Sequence, residues 1–141
     1  MQKRISLQDI FNAAWTAFII EDRPPAQTQA TPVSPYLCCY LTTDGRKCTV
    51  GLCIPDGHPY QAVDDTLNML VIKDSDENKS DQIFDESMQN MRKNLLYEFQ
   101  AGLHDDLAES GEWLYPKETR EIMYRKIAAD FQLTIPGEGS C

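Results

Sequence analysis

The chain has 141 residues, of which 42% are hydrophobic and 25% charged. That is the size and composition of one ordinary globular domain, 1–141, and it excludes disordered and fibrous classes. Its 22 acidic residues against 13 basic ones leave a formal charge of −9, which repels nucleic-acid phosphate and disfavours direct nucleic-acid binding.

The N-terminal stretch lacks the continuous apolar run of a signal peptide, since Ser6, Gln8, Asp9 and Asn12 interrupt it. Nor does any apolar run reach the roughly 18 residues of a membrane span. The expectation is a cytoplasmic protein without membrane contact. There, five reduced cysteines are unremarkable.

Leu7, Ile10, Phe11, Ala14, Trp15 and Phe18 recur with helical spacing and predict a first amphipathic helix, with Ser6 as N-cap and Asp9 in its first turn. Residues 21–36 carry four prolines and predict an exposed loop. Next, Asp44-Gly45 predicts a two-residue hairpin turn. Pairing then sets Leu41 opposite Cys48, Cys39 opposite Val50 and Leu37 opposite Leu52 on one apolar face. A β-hairpin over about 36–53 is therefore expected.

The apolar patch 67–72 is short enough to be strand or helix, and a strand extending the sheet is the preferred reading. Residues 74–86 hold six acids against Lys79 and predict a second exposed, solvated loop. Ser87 predicts the cap of a long helix carrying Met88, Met91, Leu95, Leu96, Phe99, Leu103 and Leu107 up to Gly111. Pro116 opens a last helix with the apolar line Met123, Ile127, Phe131, flanked by Ile122 and Ala128. Residues 134–141 form a frayed tail. The expected fold class is α+β: about three amphipathic helices packed on a small antiparallel sheet built around the hairpin.

Four of the five cysteines crowd into Cys38–Cys53, with His58 just beyond. A zinc site from Cys38, Cys48, Cys53 and His104 has suitable ligand types but lacks paired CxxC spacing. A nucleophile from Cys48 or Cys38, with His104 as base and Asp105 or Asp106 as orienting acid, has the residue types but sits in acidic surroundings that keep a thiol protonated. Small buried apolar side chains are the third role open to these cysteines. No Gly-rich phosphate loop is present. Candidate partner or ligand contacts are Tyr40, Asp56, His58, Tyr60, Asp76, Glu77, Asp81, His104 and Trp113, aromatic and polar groups beside acidic segments.

The segments "LQDIF", "CCYLTTDGRKCTVGLCIPD", "LLYEFQAGLHDD" and "IAADFQL" together resemble a family of small bacterial and bacteriophage proteins to which no activity is assigned. Its pattern is Cys-x-Tyr, then Gly-x-x-Cys-x-x-Gly-x-x-Ile-Pro-Asp, then a helix ending Gln-x-x-x-His-Asp. The matching positions are Cys38, Tyr40, Gly45, Cys48, Gly51, Pro55, Asp56 and His104. The resemblance implies a phage or mobile-element origin and, with the charge, a non-enzymatic inhibitor that binds a host protein or complex such as a defence complex. A variant of that role is sequestering a small signalling ligand between subunits of a homo-oligomer. The alternative is a Cys-His hydrolase or zinc-dependent enzyme; the leading reading needs no cofactor.

Overall fold

The computed structural model describes residues 4–26, 45–54, 57, 58, 60, 67–76, 82–109 and 111–136. In chain order these form α1 (Leu7–Ala14) running into a π-helical segment (Trp15–Ile20), α2 (Leu67–Ser75), α3 (Glu86–Gln89) and α4 (Lys93–Leu103). A 3₁₀ turn (Asp105–Leu107), strands β1 (Ala108–Glu109) and β2 (Glu112–Trp113), and α5 (Lys117–Asp130) complete the set. The class is α+β with a two-stranded antiparallel sheet, as expected. That sheet lies at 108–113, outside the expected hairpin.

Helix α1 begins as its sequence predicts. Ser6 Oγ accepts from Asp9 N–H at 3.1 Å, and Asp9 Oδ2 accepts from Ser6 N–H at 3.0 Å, closing a capping box. Its apolar face carries on through the π-helical turns, burying Trp15, Ala17, Phe18 and Ile19. The wider i→i+5 bonding, as in Glu21 N–H to Thr16 O at 2.9 Å, ends where Asp22 turns left-handed at φ 54°.

Three expectations give way here. Residues 48–54 are consecutive turns, with Leu52 N–H bonded to Cys48 O and Cys53 N–H to Val50 O, so the second strand of the expected hairpin is absent. Cys48, Thr49, Val50 and Gly51 are all buried, and a chain buried on every side gains nothing from the two-residue alternation of a strand. The first strand and turn, 36–44, lie outside the described residues.

Second, 67–72 is helix. Leu67, Leu70, Val71 and Asp74 are buried at i, i+3, i+4 and i+7, a helical stripe whose fourth member is a carboxylate. Third, the long helix expected from Ser87 is broken. Asp85, not Ser87, caps the short α3 through Met88 N–H, and the chain restarts at Arg92 to form α4, which stops at Leu103 rather than near Gly111.

The acidic stretch 74–86 is consequently no simple solvated loop. Asp74 is fully buried, and its carboxylate accepts from the backbone N–H of Ile83 (3.0 Å) and Phe84 (2.9 Å), from Tyr60 Oη (3.2 Å) and from Gln89 Nε2 (3.4 Å). The segment it holds bridges Ile5 in parallel, with Ile5 N–H to Ile83 O at 2.7 Å and Asp85 N–H to Ile5 O at 2.9 Å. One carboxylate thus fastens α2 to the chain start and to α3. Residues 77–81 lie outside the described set.

On α5 the most buried line is Arg120, Tyr124 and Ala128, one residue beyond the predicted Met123, Ile127 and Phe131, which are half-buried against the core; Ile122 is 68% exposed. Helices α4 and α5 approach closely, because Gly102 has no side chain: a Cβ there would lie 2.8 Å from Ile127 Cδ1. Pro116 sits at the N-cap rather than inside the first turn. The tail also starts later than expected, since Thr134 exchanges hydrogen bonds with the Gln8 side chain and Ile135 packs on the core.

Asp74→Ala strips the partner from two buried backbone N–H groups and should cost about 3 kcal/mol, a carboxylate accepting several bonds being worth more than a neutral pair. Asp74→Asn, which keeps one oxygen, should cost less. Urea unfolding of both variants checks the order; equal stability of Asp74→Ala and the parent would remove Asp74 from this role.

Candidate functional site

The polar residues with the most elaborate surroundings converge on Asp22–Ala26, the start of the predicted exposed loop. Four side chains from distant elements grip this segment. Arg120 Nη2 donates to Asp22 Oδ1 at 2.6 Å, while its Nη1 donates to Phe18 O at 2.6 Å and its Nε to Tyr115 O at 3.1 Å. Trp113 Nε1 donates to Arg23 O at 2.8 Å. Arg46 Nη1 donates to Pro25 O at 2.9 Å, and Ala26 N–H donates to His104 Nε2 at 3.0 Å. Pro25 and Ala26 are buried rather than exposed; residues 27–36 lie outside the described set.

Local structure explains each placement. Helix α4 ends at Leu103, whose carbonyl accepts from the buried Tyr124 hydroxyl, and His104 leaves the helix at φ −144°, ψ −63°, which turns its ring inward. The hairpin that follows turns through Gly111 at φ 86° and brings Trp113 back across Ala108. The pair beside the turn sets Glu109 against Glu112, two like charges that do not stabilise the hairpin by themselves. The Trp113 ring meets Phe18 edge-on at 5.2 Å and His104 at 5.8 Å, and the Arg120 guanidinium lies 4.7 Å from its centroid.

His104 is wholly buried. Since Nε2 accepts from an amide, Nδ1 carries the proton and donates to Asp105 Oδ1 at 2.8 Å. Both ring nitrogens are engaged. The His-Asp pair of the predicted triad is therefore formed, but the nitrogen that would take a proton from a nucleophile is occupied by the backbone.

Cys48 is buried, its Sγ accepting from Gly51 N–H at 3.5 Å. Burial pushes its thiol up to about 12, with the Asp105 charge adding to the rise and hydrogen bonds, including one from Gln100, opposing it. Cys53 is half-buried against Asp9 O, and burial followed by the Asp9 charge pushes it, too, to about 12. Neither thiol has the electropositive setting of a nucleophile. Among the described residues, no group of three His, Cys, Asp or Glu side chains could hold a metal ion; Cys38 of the proposed zinc set lies outside them.

The predicted contact residues scatter. Tyr60 is buried with its hydroxyl on Asp74, and His58 stacks edge-on against it at 4.4 Å. Burial removes Tyr60 and His104 from the surface. Trp113 is half-buried in the clasp, Asp76 is exposed, and Tyr40, Asp56, Glu77 and Asp81 lie outside the described residues. The clasp residues Arg120, Arg46 and Asp22 escaped sequence reasoning: a lone arginine on a helix pattern carries no signal that its partners lie 98 to 102 positions away.

The other grouping is a cleft of about 500 Å³ lined by Arg23, Pro24, Gly45, Arg46, Lys47 and Leu52, beside the clasped segment. A second, shallower groove between α4 and α5 has Leu107, Met123 and Ile127 as its floor, with Asp106, Lys126 and Asp130 at the rim.

The raised thiols have a consequence for stability. Above about pH 9 the unfolded chain ionises Cys48 and Cys53 while the fold keeps them protonated, so the unfolded state binds fewer protons and stability falls as pH rises from about 9 towards 12. Burial raises the Tyr124 hydroxyl in the same direction. At pH 8 a thiol with a pKa of about 12 is thiolate in roughly one molecule in ten thousand. Iodoacetamide should therefore spare Cys48 and Cys53 in the folded protein and modify both in urea, as read by peptide mass spectrometry; rapid labelling of folded Cys48 would contradict its burial.

A scan against protein-family models finds no match, and neither a search of curated proteins nor one of solved structures finds a similar chain.

Proposed function

We propose that the chain is a non-enzymatic binding protein that docks on a protein or complex of basic character, in the manner of an inhibitor of a host defence factor. The observation that carries this reading is the surface of the hairpin and the start of α5. Leu114 (52% exposed), Tyr115 (38%) and Ile122 (68%) stand out there beside the exposed carboxylates of Glu109, Glu112 and Glu118. Exposed apolar anchors on a stretch, 109–118, where three exposed carboxylates outnumber the exposed Lys117 suit a partner with an apolar patch and a mainly basic rim. The net charge of −9 would steer the approach. The phage origin that the sequence resemblance implies belongs to the same proposal.

The placement of the chemically capable groups supports the reading. His104, Asp105 and Cys48 are spent on holding the fold together, and no observation favours the hydrolase or zinc-enzyme alternative over it.

The immobilised protein should capture a defined set of host proteins from a bacterial lysate at low salt, and release them as salt rises, since exposed charge pairs are screened over about 10 Å at 0.1 M. Leu114→Lys should abolish that capture without lowering the melting temperature. If the variant captures the same proteins, or the parent captures none, the docking proposal falls.

A further inference from the structure

We infer, resting on the docking reading above, that the groove between α4 and α5 receives an amphipathic helix of the partner protein, which lays an apolar stripe on the floor and sets lysine or arginine against Asp106 and Asp130. Tyr115 joins the two surfaces, since it stands in the exposed patch and also lines the groove.

The lining residues fall within 102–107 and 115–130, stretches described without a gap. On α5 they are Met123, Lys126, Ile127 and Asp130, at i, i+3, i+4 and i+7, which is one face over two turns. Met123 and Ile127 belong to the line that the sequence pattern assigns to the core. The fold buries the neighbouring line Arg120, Tyr124 and Ala128 instead, because Arg120 finds acceptors at Phe18 O, Tyr115 O and Asp22. Helix α5 therefore carries two apolar lines and covers one of them only in part. Met123 and Ile127 stay half-buried above Leu107, and the exposed Ile122, one turn before Lys126, continues the apolar surface outward. Apolar area left in water forfeits the free energy of its burial, which a docked partner recovers.

The rim decides the sign of the partner. Two exposed carboxylates, Asp106 and Asp130, stand there against one exposed cation, Lys126, and none of the three forms an ion pair with a described residue. Asp130 is the last residue of α5, where the macrodipole disfavours negative charge, and no base accompanies it in that turn. Lys126 lies one turn before it, the weaker order for a helical ion pair. A cation arriving from outside relieves both carboxylates.

The floor decides the partner's backbone. An extended strand laid on Leu107, Met123 and Ile127 would present amides that these side chains cannot bond, whereas a helix satisfies its own. From Met123 to Asp130 the groove runs about 10 Å along α5 at 1.5 Å per residue, two turns of an incoming helix, and its volume of about 340 Å³ holds a few side chains.

Methyl NMR of the full chain tests this with a synthetic helical peptide of about 15 residues, leucine on one face and lysine beside it, as the probe. Saturable one-to-one shifts of the Met123 and Ile127 methyl signals are expected, and none from the same peptide with glutamate for lysine. Asp106→Lys and Asp130→Lys should each weaken binding about fivefold, the upper range for one exposed charge pair. Glu86→Lys, an equal change of charge on α3, should leave it unchanged. If the parent captures lysate proteins but the peptide leaves Met123 and Ile127 unmoved, or Glu86→Lys weakens binding as much, the groove falls and the docking reading stands. If the peptide binds there and the parent captures nothing, the docking reading falls alone. The same methyl shifts on concentrating the protein by itself would assign the groove to a second copy and overturn the inference.

Discussion

The hydrogen bond from Ala26 N–H to His104 Nε2 is the point on which the arrangement turns, because it joins the end of the first helical segment to the end of α4 across 78 residues. Around it, Arg120 takes the Phe18 carbonyl left over by the π-helical turns, and Trp113 takes that of Arg23. Each bond satisfies a backbone group that the helix end or the proline pair leaves without a partner. A buried guanidinium is costly unless its donors are all used, and here Nε, Nη1 and Nη2 each have an acceptor while the face of Trp113 covers the plane. Breaking any one member exposes the others to the same penalty, so the clasp acts as a unit.

The apolar half of the fold is legible in the sequence. Helix α1, its Ser6–Asp9 cap and the existence of later helices follow from period and capping chemistry alone, because a continuous apolar stripe has only one place to go. The misread parts each contain a buried polar residue. Counting Asp74 as a solvated acid hides the stripe Leu67, Leu70, Val71, Asp74 that makes 67–75 a helix. Counting Arg120 as surface shifts the inner line of α5 by one residue. Once partners distant in sequence satisfy a charged group, it belongs to the core, and no local pattern announces the partner.

The hairpin illustrates a different limit. Its register is self-consistent on paper, but consistency of pairing is evidence only if one face is to be buried and the other wetted. Thr49 is wholly buried between Cys48 and Val50, so the alternation that suggested a strand has no counterpart in the surroundings. The cysteines answer in the same way: Cys48 serves as a small buried side chain and Cys53 as a half-buried one, and the His-Asp pair that would have completed a catalytic reading is turned toward a backbone amide instead.

The same bonds that withdraw His104 from chemistry hold Asp22–Ala26 from inside. The clasped segment presents Arg23 on its outer side while its inner side is held, so the folding energy of the core fixes where that charge stands. Asp22, Arg23 and Glu21 show the division of labour within three consecutive residues. Asp22 neutralises the buried Arg120, and Glu21 pairs with Arg23 on the outer side.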